Sequence, residues 1–138
     1  MRQRWLPAAL SLCVSAPHAL AQATLVERSV SAAAGRDMRV GIYTTIRPDC
    51  TSGPLPAIRL ASAPAHGTVS VKRATLKATN IKQCLAIDVP AYVAVYRAAA
   101  DFHGADDFQL EVTFTGGRKE LQHFTVSVSN LPNGGQGI

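Results

Sequence analysis

The stretch "FQLEVTFTGGRKELQHFTVSVS", residues 108–129, decides the fold. Phe108, Leu110, Val112 and Phe114 alternate with Gln109, Glu111, Thr113 and Thr115. After an interruption, Phe124, Val126 and Val128 alternate with Thr125, Ser127 and Ser129. A period of two turns one strand face to a core and the other to water. Gly116-Gly117 between the two runs reads as a β-hairpin turn.

The same pattern recurs upstream. Met38, Val40, Ile42, Thr44 and Ile46 sit two apart, which predicts a strand. Weaker strand signals cover 24–31, 57–62, 67–73, 80–89 and 92–98. Turn residues separate them: Ala34-Gly35, the loop "RPDCTSGPLP" (47–56) and "APAHG" (63–67). Pro90 is expected to end a strand, because it has no N–H for the ladder. Only "LKATN" and "YRAAAD" have helical flavour, and both are short. Seven or eight short strands with regular turns predict an all-β fold, a sandwich of antiparallel sheets.

The first residues read as an export signal. Arg2 and Arg4 precede a mostly apolar stretch from Trp5 to Pro17, and small-x-small patterns end at Ala21 and Ala23. Cleavage is expected after Ala23, with Ala21 the alternative. The apolar stretch is shorter than the ~20 residues of a membrane-spanning helix, so no stable membrane insertion is expected. The domain boundaries are then 1–23 signal peptide, 24–130 β-sandwich and 131–138 flexible tail. Removing 23 residues from 138 leaves 115, enough for one domain with its own core. Two of the 14 Lys and Arg leave with the signal and none of the nine acids, so the remainder carries +3 (12 against 9). Its cations are scattered, which argues against a nucleic-acid partner.

Cys13 lies in the signal. Cys50 and Cys84 remain, an even pair, and an oxidising compartment predicts a disulfide between them. It closes 35 residues (84 − 50 + 1), worth about 3–4 kcal/mol by the chain-entropy account. By parity on 80–89, Cys84 lies opposite Ile81, Leu85, Ile87 and Val89. The bond is therefore expected to clip the Pro-rich loop to the outside of the sheet and not to cross the core.

Three segments, "APAHGTVSV" (63–71), "VYRAAADFHGADDF" (95–108) and "FTVSVSN" (124–130), together resemble bacterial cadherin-like, immunoglobulin-like repeats. Pro64, His66, Gly67, Thr68 and Val69 match the strand opening of such repeats, Tyr96 a tyrosine that follows, and Phe102, Gly104, Asp106 and Phe108 a corner. The resemblance covers about residues 63–130 and implies an immunoglobulin-like sandwich. Ala98 stands where the repeats carry proline, and this chain has one copy where they occur in tandem. At the corner, Phe102 is expected to plug the sandwich end and Phe108 to open a strand. Gly67 and Gly104 are expected to turn with positive φ. Asp106 is expected to accept bonds from nearby backbone N–H groups in an Asx-type turn.

No residues mark a catalytic, cofactor or metal site. Asp101, Asp106 and Asp107 lack the spacing of a calcium loop, and one domain supplies only half of an inter-domain calcium site. His66, His103 and His123 are not at ligand spacing. No nucleophile elbow occurs. Arg36, Arg39, Tyr43 and Arg59 are expected on outward strand faces. The expected function is a non-catalytic periplasmic or secreted module that binds a protein or glycan, or acts as a structural accessory, with loop 47–56 as the recognition surface. A calcium-dependent adhesion domain is the second reading and a small exported enzyme the third.

Overall fold

In the computed structural model, which describes residues 10–16, 22–79, 84 and 86–130, the alternating stretch forms two neighbouring strands inside a sheet. In chain order the strands are β1 (Thr24–Ala33), β2 (Asp37–Tyr43), β3 (Ala57–Ser62), β4 (Gly67–Ala78), β5 (Ile87–Ala98), β6 (Gly104–Thr113) and β7 (Lys119–Ser129). The described residues are all-β. They form a four-stranded sheet, β1-β7-β6-β3, and a three-stranded sheet, β2-β5-β4. The inward residues of both form one core: Tyr43, Ala94, Tyr96 and Ala98 from one sheet, Ala32, Phe108, Leu110, Val112, Phe124, Val126 and Val128 from the other.

The turn between β6 and β7 is the expected hairpin. Gly116 and Gly117 both have positive φ, at +100° and +94°. Phe108 and Phe124 face each other across the ladder and stack at 4.7 Å. Tyr96 joins the row from the opposite sheet, 5.7 Å from Phe108.

Four expectations change. First, β1 runs parallel to β7, so the larger sheet is mixed. No short turn joins these two strands, and nothing local fixes their relative direction. Second, 80–89 and 92–98 are not separate strands, because β5 runs through Pro90. Thr44 Oγ1 donates to the Pro90 carbonyl at 2.8 Å, beyond the last β2–β5 pair, Tyr43↔Tyr92. The missing N–H therefore faces an edge that β2 has already left, and no ladder bond is lost. Residues 80–83 and 85 lie outside the described residues, as does the expected tail 131–138.

Third, the alternation of β2 breaks. Its register shifts between Arg39 and Gly41, so Val40 is an extra residue, a β-bulge. Past the bulge the faces exchange. Tyr43 enters the core at 8 % exposure and Ile42 turns outward at 47 %. The expectation that Tyr43 lies outward with Arg36, Arg39 and Arg59 is therefore wrong for Tyr43 alone. The three arginines are exposed. Fourth, β4 continues through Leu76–Ala78, where the sequence has helical flavour. Pairing with Ile87–Val89 overrides that propensity.

Gly67 does not adopt positive φ, whereas Gly104 does, at +129°. Glycine is required at 67 for space. A Cβ there would lie 2.6 Å from the Arg97 carbonyl oxygen and 2.9 Å from the Tyr96 ring. Gly67→Ala is expected to lower stability by about 1–3 kcal/mol, the usual cost of overpacking. Urea unfolding, with circular dichroism confirming an unchanged β spectrum, checks it.

Candidate functional site

Polar groups gather at the corner after β5, around His123 on the outer face of the larger sheet, in the loop between β2 and β3, and along a chain from Tyr43 to Arg118. At the corner, β6 directs Asp106 inward, opposite Val126, and the side chain is only 5 % exposed. Its carboxylate accepts four hydrogen bonds. The Ala65 and His66 amides donate at 3.2 Å each, the Asp107 amide at 3.0 Å and the Tyr96 hydroxyl at 2.7 Å. The local donor is the adjacent Asp107 amide, one residue on and not two, so the bond differs from the expected Asx-type turn. The other donors come from the β3–β4 connection and from the facing sheet. Asp106 is thus a latch across the sandwich. Burial first, and then the bond to Asp106, push the Tyr96 phenol well above its ordinary pKa, so it stays a donor.

The other corner residues surround the latch. Phe102 stacks on His66 with ring centroids 4.0 Å apart. Gly104 begins β6, and Phe108 lies fully buried in the core row. A shallow hollow of about 620 Å³ lies above, lined by His66, Gly67, Arg97 and Phe102 among others. Asp101 and His103 are exposed. Among the described residues no three His, Cys, Asp or Glu side chains converge as a metal set. Asp107 is directed to the outer face of the sheet, where it meets His123.

His123 sits on β7 between two acids. Its Nδ1 is 2.8 Å from Glu27 on β1, and its Nε2 is 3.0 Å from Asp107 on β6. A protonated imidazole donates to both carboxylates and pins the edge strand β1. The Asp107 bond first, and then the Glu27 bond, raise the His123 pKa above 6.5.

The loop between β2 and β3 is a stapled knuckle. Gly53 N–H donates to Thr45 O and Arg47 N–H to Thr51 O, each at 2.8 Å, around an Ile46↔Ser52 bridge. At its tip Asp49 accepts from the Thr51 amide at 3.2 Å and the Thr51 hydroxyl at 2.6 Å, which hold its carboxyl below the usual range. Arg47 crosses back to the Ser52 carbonyl at 2.8 Å. Cys50, at φ +66°, forms the expected disulfide with Cys84, Cα–Cα 5.5 Å.

The disulfide lies apart from the main core. Cys84, Val89 and Ala91 are buried, yet none belongs to the core cluster. The ladder between β4 and β5 is unbroken, so Val89 and Ala91 face away from Ala94, Tyr96 and Ala98. Val89 thus lies on the outer face, opposite to the core side expected for it. At the same end a polar chain leaves the core. The Tyr43 hydroxyl donates to Gln122 at 2.5 Å, Gln122 to Glu120 at 2.8 Å, and Arg118 to Glu120 at 2.7 Å. Gln122 is 1 % exposed, and nothing in the strand alternation distinguishes it from an apolar residue except this partner set.

No protein-family model matches the chain, and neither does any curated protein. Among solved structures, the solution structure of amebosin aligns with 78 % of this chain and 99 % of amebosin, at 9 % identity and TM-score 0.41. A 2,6-sialyltransferase from Photobacterium aligns with 77 % of this chain but 18 % of the enzyme, at 9 % identity and TM-score 0.33. Likeness at that level carries no argument about function.

Asp106→Ala is expected to cost about 3 kcal/mol or more, since it strands the buried Tyr96 hydroxyl and leaves two loop amides without their acceptor. Tyr96→Phe is expected to cost less, and the double variant less than the sum of the two. A double-mutant cycle by denaturant unfolding measures the coupling. The folded-state pKa of His123 is raised, so its pairs stabilise fully below the unfolded value of about 6.5. That contribution is lost as pH rises through the folded value. His123→Gln is expected to flatten the pH dependence of stability above about 6.5. Hydrogen exchange at β1 amides is expected to quicken with pH in the native protein and not in the variant.

Proposed function

We propose that this chain is an exported, non-catalytic immunoglobulin-like module that recognises a protein or glycan through the knuckle between β2 and β3. The strand order supports the fold assignment. In an immunoglobulin domain numbered by letter, β2-β5-β4 corresponds to B, E and D, and β3-β6-β7 to C, F and G. The first strand departs from the constant-type arrangement by lying beside the last strand. The Phe102–Phe108 corner supports the likeness to cadherin-like repeats.

Export is supported by the signal-like start and by the Cys50–Cys84 bond. Leu10, Leu12 and Val14 are 86 %, 85 % and 85 % exposed, as expected of a segment that is not part of the folded domain. Among the described residues, no helix is long and apolar enough to cross a membrane.

The observation that carries the recognition reading is the pre-ordered knuckle. Arg47, Asp49 and Thr51 are exposed at its tip, held by the bridge, the Asx turn and the disulfide. A loop already fixed loses little further entropy on binding. Calcium adhesion finds less support, because Asp106 is occupied by four donors and Asp107 by His123.

Affinity capture from a periplasmic extract, with the oxidised protein as bait, tests the reading. A partner retained by the native protein is expected to be lost with Arg47→Ala/Asp49→Ala, which leaves the core untouched. Equal retention by the native protein and the double variant would remove the knuckle from the proposal.

A further inference from the structure

The sandwich is not closed along one side. β3 and β4 are the edges of the two sheets on that side. Leu60 on β3 pairs with Leu110, and Val71 on β4 pairs with Ala94, so both point toward the core. They are nonetheless 41 % and 39 % exposed. Between the two strands lies a hollow of about 390 Å³ lined by Pro56, Ala57, Ile58, Val71 and Tyr92. Apolar side chains that face inward yet stay wet mark a place where a strand of sandwich lining is missing.

The free edge of β4 is also ready to pair. Pro90 lacks an N–H, and its carbonyl is bonded to Thr44, so the Thr75↔Pro90 pair makes no ladder bonds. By alternation the N–H and C=O groups of Val71, Arg73 and Thr75 point away from β5, along the open edge. That edge carries Lys72 and Arg73 and no acid; Lys77 is already paired with Asp88 at 3.7 Å, and Arg59 on β3 with Glu111 at 3.0 Å. Like charges repel a second copy laid along β4, and such cations guard edge strands against self-pairing. The same charges attract an acidic segment.

We propose that β4 is a docking edge for an extended segment of another protein, one that alternates apolar and acidic residues. The segment adds as a fourth strand to β2-β5-β4. Its apolar side chains enter the seam beside Ile58, Leu60, Val71 and Tyr92, and its acids lie on the opposite face of the added strand, where Lys72 meets them. This is strand addition: main-chain bonds give affinity and alternate side chains give selectivity. The seam touches the β2–β3 loop at Pro56 and not at the tip residues Arg47, Asp49 and Thr51, so either proposal can fail without the other.

The test uses the oxidised protein and a capped ten-residue peptide alternating valine with glutamate, followed by backbone amide NMR shifts. Control peptides replace glutamate with lysine or carry N-methyl groups on the backbone amides. The acidic peptide is expected to shift amides of β4, and the Lys72→Glu/Arg73→Glu variant to weaken it on the order of tenfold, equivalent to about 1.4 kcal/mol. The lysine and N-methylated peptides are expected to shift nothing in the native protein. The proposal is overturned if acidic and lysine peptides bind alike, if N-methylation leaves binding unchanged, if shifts fall on the knuckle instead, or if the acidic peptide is silent at millimolar concentration.

Discussion

A buried carboxylate holds the two layers of this sandwich in register. Asp106 reaches inward from one sheet, binds the Tyr96 hydroxyl of the other and takes both amides of the turn that leads into β4. A charge at 5 % exposure is tolerable only when its lone pairs are filled, and here four donors fill them. Neighbouring features follow from that geometry. Gly67 must be small because the Asp106-bound turn brings it against Arg97 and Tyr96. Tyr96 must lie flat beside Phe108 for its hydroxyl to reach, which continues the aromatic row through Phe124. Among the described residues no buried side-chain polar atom lacks a partner.

The alternation of 108–129 was enough to predict an all-β sandwich, because period two is a direct imprint of one buried face. The same logic failed at β2, where one extra residue, Val40, exchanges the faces and sends Tyr43 inward. A bulge leaves no mark in composition, so parity beyond it cannot be read. Pro90 misled for a related reason. Proline excludes a ladder bond only on the side its nitrogen faces, and the sequence does not say that β2 stops at Tyr43. The Cys50–Cys84 pairing was legible because only two cysteines lie beyond the signal-like start. Asp106 was recognised as part of a corner, but its defining partners lie 10, 40 and 41 positions away, beyond any local spacing rule.

The two ends of the molecule are secured by different chemistry, and this follows from where the strands stop. At the Asp106 end the strands run out together, so hydrogen bonds across the layers suffice. At the other end β2 stops at Tyr43 while β4 and β5 continue from Ala74–Ala78 and Ile87–Ala91, a projection of about 15 Å at ~3.3 Å per residue. A two-stranded projection is marginal in water. Its outer face carries Val89 and Ala91, both buried. The disulfide ties that end to the knuckle and so supplies a covalent constraint beyond the end of β2. The same bond therefore orders the projection and fixes the proposed recognition loop. Reduction would loosen both at once, whereas changes at Arg47 and Asp49 remove bonds at the tip alone and leave the disulfide and the strands in place.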